Sequence, residues 1–130
     1  MRFPHESLVA WQRADDFFIN VHLLVKRRFP PEERFALSSQ TRRAAFSVAA
    51  NIVEGSARRH PRERTQFLRT SWASLAEVSY CLHAAQRLGY LTEAEHGDFA
   101  KELQAVAAPL FGLMKRAEHA LASPPSPQVP

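Results

Sequence analysis

Apolar side chains return every three or four residues along four separate stretches of the chain, the pattern of helices that each bury one side. The first stretch covers about residues 7–28 and repeats Leu8, Trp11, Ala14, Phe18, Val21 and Val25. Phe29-Pro30-Pro31 ends it, because Pro30 disfavours helical backbone at the residue before it. After a turn over residues 32–37, Ser38 or Ser39 is placed to cap a second helix through its hydroxyl. Gly55 suits a left-handed terminator for that helix, with one more turn through Arg59 as the alternative. Pro61 fits the first position of a third helix, where a missing N–H leaves nothing unpaired. Its apolar side is Leu68, Trp72, Leu75 and Leu82, with Phe67, Val78, Cys81 and Ala85 one step round, and Gly89 closes it. Thr92 and Glu95 form a capping box at the start of a fourth helix. Its stripe, Phe99, Leu103, Val106, Leu110, Leu113, Ala117 and Leu121, keeps its phase through Pro109, which predicts a bend near Ala105 rather than an end.

No stretch alternates as a strand would. Four helices with short joints predict an all-α domain over residues 1–122, an antiparallel up-down-up-down four-helix bundle. Residues 123–130, Ser-Pro-Pro-Ser-Pro-Gln-Val-Pro, are expected to form a disordered or polyproline tail.

Composition narrows the chemistry. With 130 residues, 45% of them hydrophobic and 23% charged, the chain has room for one core and the balance of a soluble domain. No segment approaches the ~18 uncharged apolar residues of a membrane span, and residues 1–6 lack a signal-peptide core, so a cytoplasmic location without membrane contact is expected. The single cysteine, Cys81, excludes disulfide frameworks and thiolate-rich zinc sites. The four glycines form no phosphate-cradling loop.

Charge is unevenly spread. Residues 26–69 hold 11 basic side chains against four acids, although the whole chain is only +4. Arg58, Arg59, Arg62, Arg64 and Arg69 straddle the second joint and are expected to gather at one end of the bundle as a nucleic-acid-binding rim. Lys26, Arg27 and Arg28 either join them or form a second rim. The competing reading is a solvated, salt-bridged surface.

The second helix is apolar round most of its circumference through Ala44, Ala45, Phe46, Val48, Ala49, Ala50, Ile52 and Val53. A helix in a four-helix bundle keeps one face to solvent, so this excess predicts a second contact, most simply with another copy of the chain. Its remaining stripe is polar: Gln40, Arg43, Ser47, Asn51 and Glu54. Ser and Asn are poor helix formers kept where they find specific partners. Glu54 and Glu77 are read as partners for Arg43 or Arg42 at a helix contact, a structural polar stripe rather than an active site.

Trp11-Gln12-x-Ala14, Phe29-Pro30-x-x-Glu33-x-Phe35-x-Leu37, Gln40-x-Arg42-Arg43-Ala44-x-x-Ser47-x-x-x-Asn51-Ile52-x-Glu54-Gly55, Phe67-Leu68, Ser74-Leu75-x-Glu77 and Leu88-Gly89-Tyr90 follow in order along most of the chain. In these the sequence resembles the four-helix-bundle family of 23S rRNA intervening-sequence proteins. It departs from the family at Phe35-Ala36, where Tyr-Gly is frequent, and at Ala49, near which a proline is frequent. The resemblance implies a bundle that assembles into a ring-like homopentamer, and it implies no enzymatic activity. A related protein, the accessory protein of diversity-generating retroelements, implies RNA or DNA and a reverse transcriptase as partners.

The residues themselves support no catalytic site, no cofactor and no metal. Glu93-x-x-His96 is the sole Glu-x-x-His pair, and Glu93 is already accounted for by helix capping. The six histidines fall into no ligand spacing, and the Arg–His spacing of toxin-type helical ribonucleases does not occur. A non-catalytic, homo-oligomeric binding protein is expected, with nucleic acid as its ligand. The alternative is a protein-binding scaffold or assembly factor without a nucleic-acid role.

Overall fold

The computed structural model describes residues 1–122, so the Pro-rich tail expected at 123–130 lies outside the described residues. Four helices form: α1 (Val9–Arg28), α2 (Leu37–Ser56), α3 (Pro61–Arg87) and α4 (Glu93–Ala122). Short 3-10 turns at Pro4–Ser7 and Pro31–Glu33 precede α1 and α2, and there is no strand among the described residues. Among the described residues no helix is long and apolar enough to cross a membrane.

Each helix packs against its neighbours in the chain and α4 closes on α1, while the backbones of the diagonal pairs, α1 with α3 and α2 with α4, stay more than 8 Å apart. Along the α1–α4 and α2–α3 contacts, residue numbers rise on one helix as they fall on the other. Arg13 meets Ala105, Asn20 meets Glu102 and Arg28 meets Glu95. Gln40 meets Glu77, Ser47 meets Ser74 and Val48 meets Ser71. Phe17, Leu24, Ile52, Leu82 and Leu110 fill the centre and are fully buried.

The punctuation was partly legible. Pro61 opens α3, and Gly89, the one residue with positive φ (83°) among the described residues, follows its end in the left-handed conformation that glycine adopts without strain. The Thr92–Glu95 box is complete, Thr92 N–H donating to Glu95 (2.9 Å) and Glu95 N–H to the Thr92 hydroxyl (3.0 Å). Three readings are corrected. α2 starts at Leu37 with no side-chain cap; Ser38 is already helical and 3% exposed, so its hydroxyl faces the interior instead of turning back over the helix end. Gly55 lies inside α2, without positive φ, where a Cβ would stand 3.2 Å from the Phe67 Cβ. It is a close-approach glycine that lets α3 in, not a terminator. On α1 the core aromatic is Phe17, with Phe18 and Trp11 half-buried beside it, because the buried arc must face both α2 and α4.

α4 runs through Pro109 without ending. Proline has no N–H for the carbonyl four residues back, and the Arg13 guanidinium of α1 donates to that Ala105 oxygen at 2.9 Å.

Candidate nucleic-acid interface

Ala57 to His60 join α2 to α3, and the local chemistry holds this joint tight. Arg64, one turn into α3, donates through Nη2 to the carbonyls of Arg58 (3.1 Å) and Arg59 (3.2 Å). Its charge thereby sits on the joint just past the C-terminal end of α2, the end at which the helix dipole favours a cation. Arg58 lies over the Phe67 ring (4.9 Å) and pairs with Glu54 one turn back (3.0 Å). Thr65 donates to the Pro61 carbonyl (2.7 Å), closing the first turn of α3.

The five arginines assigned to the rim therefore divide. Arg64 is spent on the joint. Arg58 and Arg69 are exposed and paired, Arg69 with Glu118 of α4 at 2.7 Å. Hydrogen bonding from Arg69 first, then the charge of Lys115, holds the Glu118 carboxyl below the usual carboxylate range. Arg59 and Arg62 are exposed and make no ion pair or side-chain hydrogen bond among the described residues. Exposed pairs contribute little, under about 1 kcal/mol, so Arg58 and Arg69 remain exchangeable for phosphate oxygens.

The two basic groups do not merge. Arg28 pairs with Glu95 at the start of α4 (3.1 Å), and Glu33 accepts from the Tyr90 hydroxyl (2.8 Å), so the first joint shares its end with the α3–α4 joint. Arg64 instead borders a hollow with Leu8 of the α1 entry and Leu113 of α4. Lys26–Arg28 thus lie at the opposite end, among Glu32, Glu33, Glu93 and Glu95. The backbone N–H of Thr92, and then Arg28, lower the Glu95 pKa there. Arg116, beside Ser7 and Leu8, adds charge to the Arg58–Arg64 end. Its place in the last turns of a helix running back to that end was the signal that could have found it.

The polar stripe is a seam between α2 and α3 in part. Ser47 and Ser74 share a hydrogen bond of 2.7 Å, Asn51 donates to the Ser47 carbonyl (2.8 Å) and hydroxyl (2.9 Å), and Gln40 donates to Glu77 (3.3 Å). Buried Ser71 donates across to the Val48 carbonyl (2.7 Å). The pairing expected of Arg43 or Arg42 is corrected: Arg43 is exposed, and neither arginine bonds to Glu54 or Glu77, which take Arg58 and Gln40 instead. An arginine on the outer arc of α2 cannot reach a seam that Ser and Asn already close.

Among the described residues no three His, Cys, Asp or Glu side chains gather in a way that would hold a metal ion. Cys81 is buried, and that burial pushes its thiol pKa up, against the reactivity of a nucleophile.

A solved structure from Bacteroides thetaiotaomicron, a protein with unknown function from the S23 ribosomal protein family, is similar to this chain with a TM-score of 0.76 at 20% identity. The match covers 82% of this chain and 99% of that one, and at such identity it carries the fold alone. No curated protein matches. The sequence model described as 23S rRNA-intervening sequence protein matches residues 6–112, from the turn before α1 well into α4. With that extent of match, the chain belongs to the 23S rRNA-intervening sequence protein family.

Proposed function

We propose that the protein is a non-catalytic, cytoplasmic nucleic-acid-binding protein whose antiparallel up-down-up-down bundle assembles into a homo-oligomeric ring. The observation that carries the ligand is the α2–α3 joint, where Arg59 and Arg62 stand exposed and unpaired beside the weakly paired Arg58 and Arg69. Such a group binds phosphates by releasing their counterions, with little discrimination between bases. The opposed running of the α1–α4 and α2–α3 contacts supports the antiparallel bundle. Self-association is supported by α2, where Phe46 is 58% exposed, edge-on to Phe18, above a largely apolar hollow with Trp11, Ala50 and Val53. The resemblance implies the number five, and the related accessory protein of diversity-generating retroelements implies a reverse transcriptase as the protein partner.

Fluorescence anisotropy with a labelled RNA or DNA oligonucleotide tests the ligand. An Arg58/Arg59/Arg62→Ala variant spares Arg64, which holds the joint. Wild type is expected to bind at low salt and weaken steeply as salt rises, and the variant to lose on the order of tenfold or more in affinity. Absence of wild-type binding at low salt, or an unchanged variant, overturns this reading in favour of a protein-binding scaffold.

A further inference from the structure

Beyond the joint, α3 carries one outward line of side chains along its full length. Arg62, Arg69, Tyr80 and Arg87 are separated by seven, eleven and seven residues, whole multiples of the helical turn, so they fall within a narrow arc. All four are exposed, Tyr80 to 69%. Exposed Ala73 and Ala76 lie between them and leave a low, smooth surface. Of the carboxylates near this line, Glu77 accepts from Gln40 on the α2 side and Glu118 from Arg69, while Glu63, beside Arg62, is exposed. Two hollows indent the face. One lies between Arg62, Gln66, Arg69 and Leu121, and the other, of about 380 Å³, is bordered by Tyr80, His83, Arg87 and Leu88.

We propose that this face of α3 is a track for single-stranded nucleic acid, with phosphates on Arg62, Arg69 and Arg87 and a base stacked on Tyr80. The inference rests on the nucleic-acid reading and extends it to strand type. A single row of arginines matches one phosphate backbone, whereas a duplex presents two. A large exposed aromatic ring on an otherwise small-residue helix face offers a stacking surface that only an unpaired, splayed base can use. His83, its ring 6.4 Å from that of Tyr80, walls the same hollow, and Arg87 sets a cation at its rim. Arg62 to Arg87 spans roughly 37 Å of helix at ~1.5 Å per residue. That accommodates about ten nucleotides at the stacked spacing of ~3.4 Å.

The test compares oligothymidylate with a duplex, both of about 20 nucleotides or base pairs, by anisotropy on wild type, Tyr80→Ala, Tyr80→Phe and Arg87→Ala. Tyr80→Ala is expected to weaken oligothymidylate binding by about 5- to 150-fold, the effect of losing one stacked base, and to leave the duplex within about twofold. Tyr80→Phe restores the stack. Arg87→Ala lowers the single-strand salt slope by about 0.7, one phosphate contact. Wild-type binding that neither Tyr80→Ala nor Arg87→Ala alters overturns the track while the joint's role stands; no wild-type binding of either probe overturns both. A changed native mass for Tyr80→Ala overturns it differently, making this face a contact between copies.

Discussion

Gly55 and Gly97 both sit inside helices, and the residues around them give the same substitution opposite signs. A Cβ at Gly55 would meet the Phe67 Cβ at 3.2 Å and the Arg64 carbonyl at 3.4 Å, atoms that cannot swing aside without moving α3. At Gly97 nothing lies within 4 Å. Alanine gains about 1 kcal/mol of helix propensity over glycine, and crowding a packed helix contact costs about 1–3 kcal/mol. Gly97→Ala is therefore expected to raise stability by up to about 1 kcal/mol and Gly55→Ala to lower it by about 1 kcal/mol in urea unfolding. The sequence marked Gly55 as special but misread why, since a glycine after an apolar run signals a helix end locally, and the neighbour that explains it lies in another helix. Tyr90 gives a second test. Its hydroxyl donates to Glu33, whose carboxylate disfavours loss of the proton, and its pKa is pushed from 10.0 up to about 12. The folded state holds this proton more tightly than the unfolded chain, so the contribution is full below pH 10 and is lost as pH rises toward 12. Thermal melts across that window should fall in wild type, and Tyr90→Phe should lack this component of the fall.

Whole helices were legible because their stripes are long, and their details failed where two phases compete. Phe17-Phe18-Ile19 supplies an apolar residue to any phase of α1, so periodicity alone could not choose the one that satisfies both α2 and α4. The phase of α4 was clear, and its interior proline did not end it. Sequence could not say what becomes of the Ala105 carbonyl that Pro109 leaves without a donor; Arg13, from the facing helix, supplies one. Arg13→Ala is expected to cost about 0.5–1.5 kcal/mol, the net worth of one hydrogen bond. Pro109→Ala restores the internal donor and should stabilise α4 by up to about 3 kcal/mol. In the double-mutant cycle the Arg13→Ala cost should then largely disappear. An equal Arg13→Ala cost in both backgrounds would show that the guanidinium does something other than replace the missing N–H.

At the scale of the whole molecule, the basic residues of the first two joints lie within one segment of sequence, 26 to 69, and are divided in space. The first joint meets the start of α4, where Glu95 and Glu33 temper it, and the second meets the start of α1 and the later turns of α4, where Arg116 reinforces it. Which end stays basic depends on acids brought from other helices, and so was not readable from the segment itself. Assembly decides how far that end acts as a band. The exposed Phe46 face of α2 is the proposed contact between copies, and a neutral change there separates valence from charge. Phe46→Gln is expected to shift native mass from the oligomer toward the monomer at micromolar concentration. Because Phe46 lies largely outside the core, the monomer should keep its helical circular dichroism. If a ring presents several copies of the Arg59–Arg62 group to one strand, the wild-type salt slope sums phosphate contacts from more than one protomer. Phe46→Gln should then bind more weakly and with a shallower slope, even though every arginine is retained. Equal slopes in oligomer and monomer would mean that one protomer makes all the phosphate contacts and that assembly contributes nothing to the affinity.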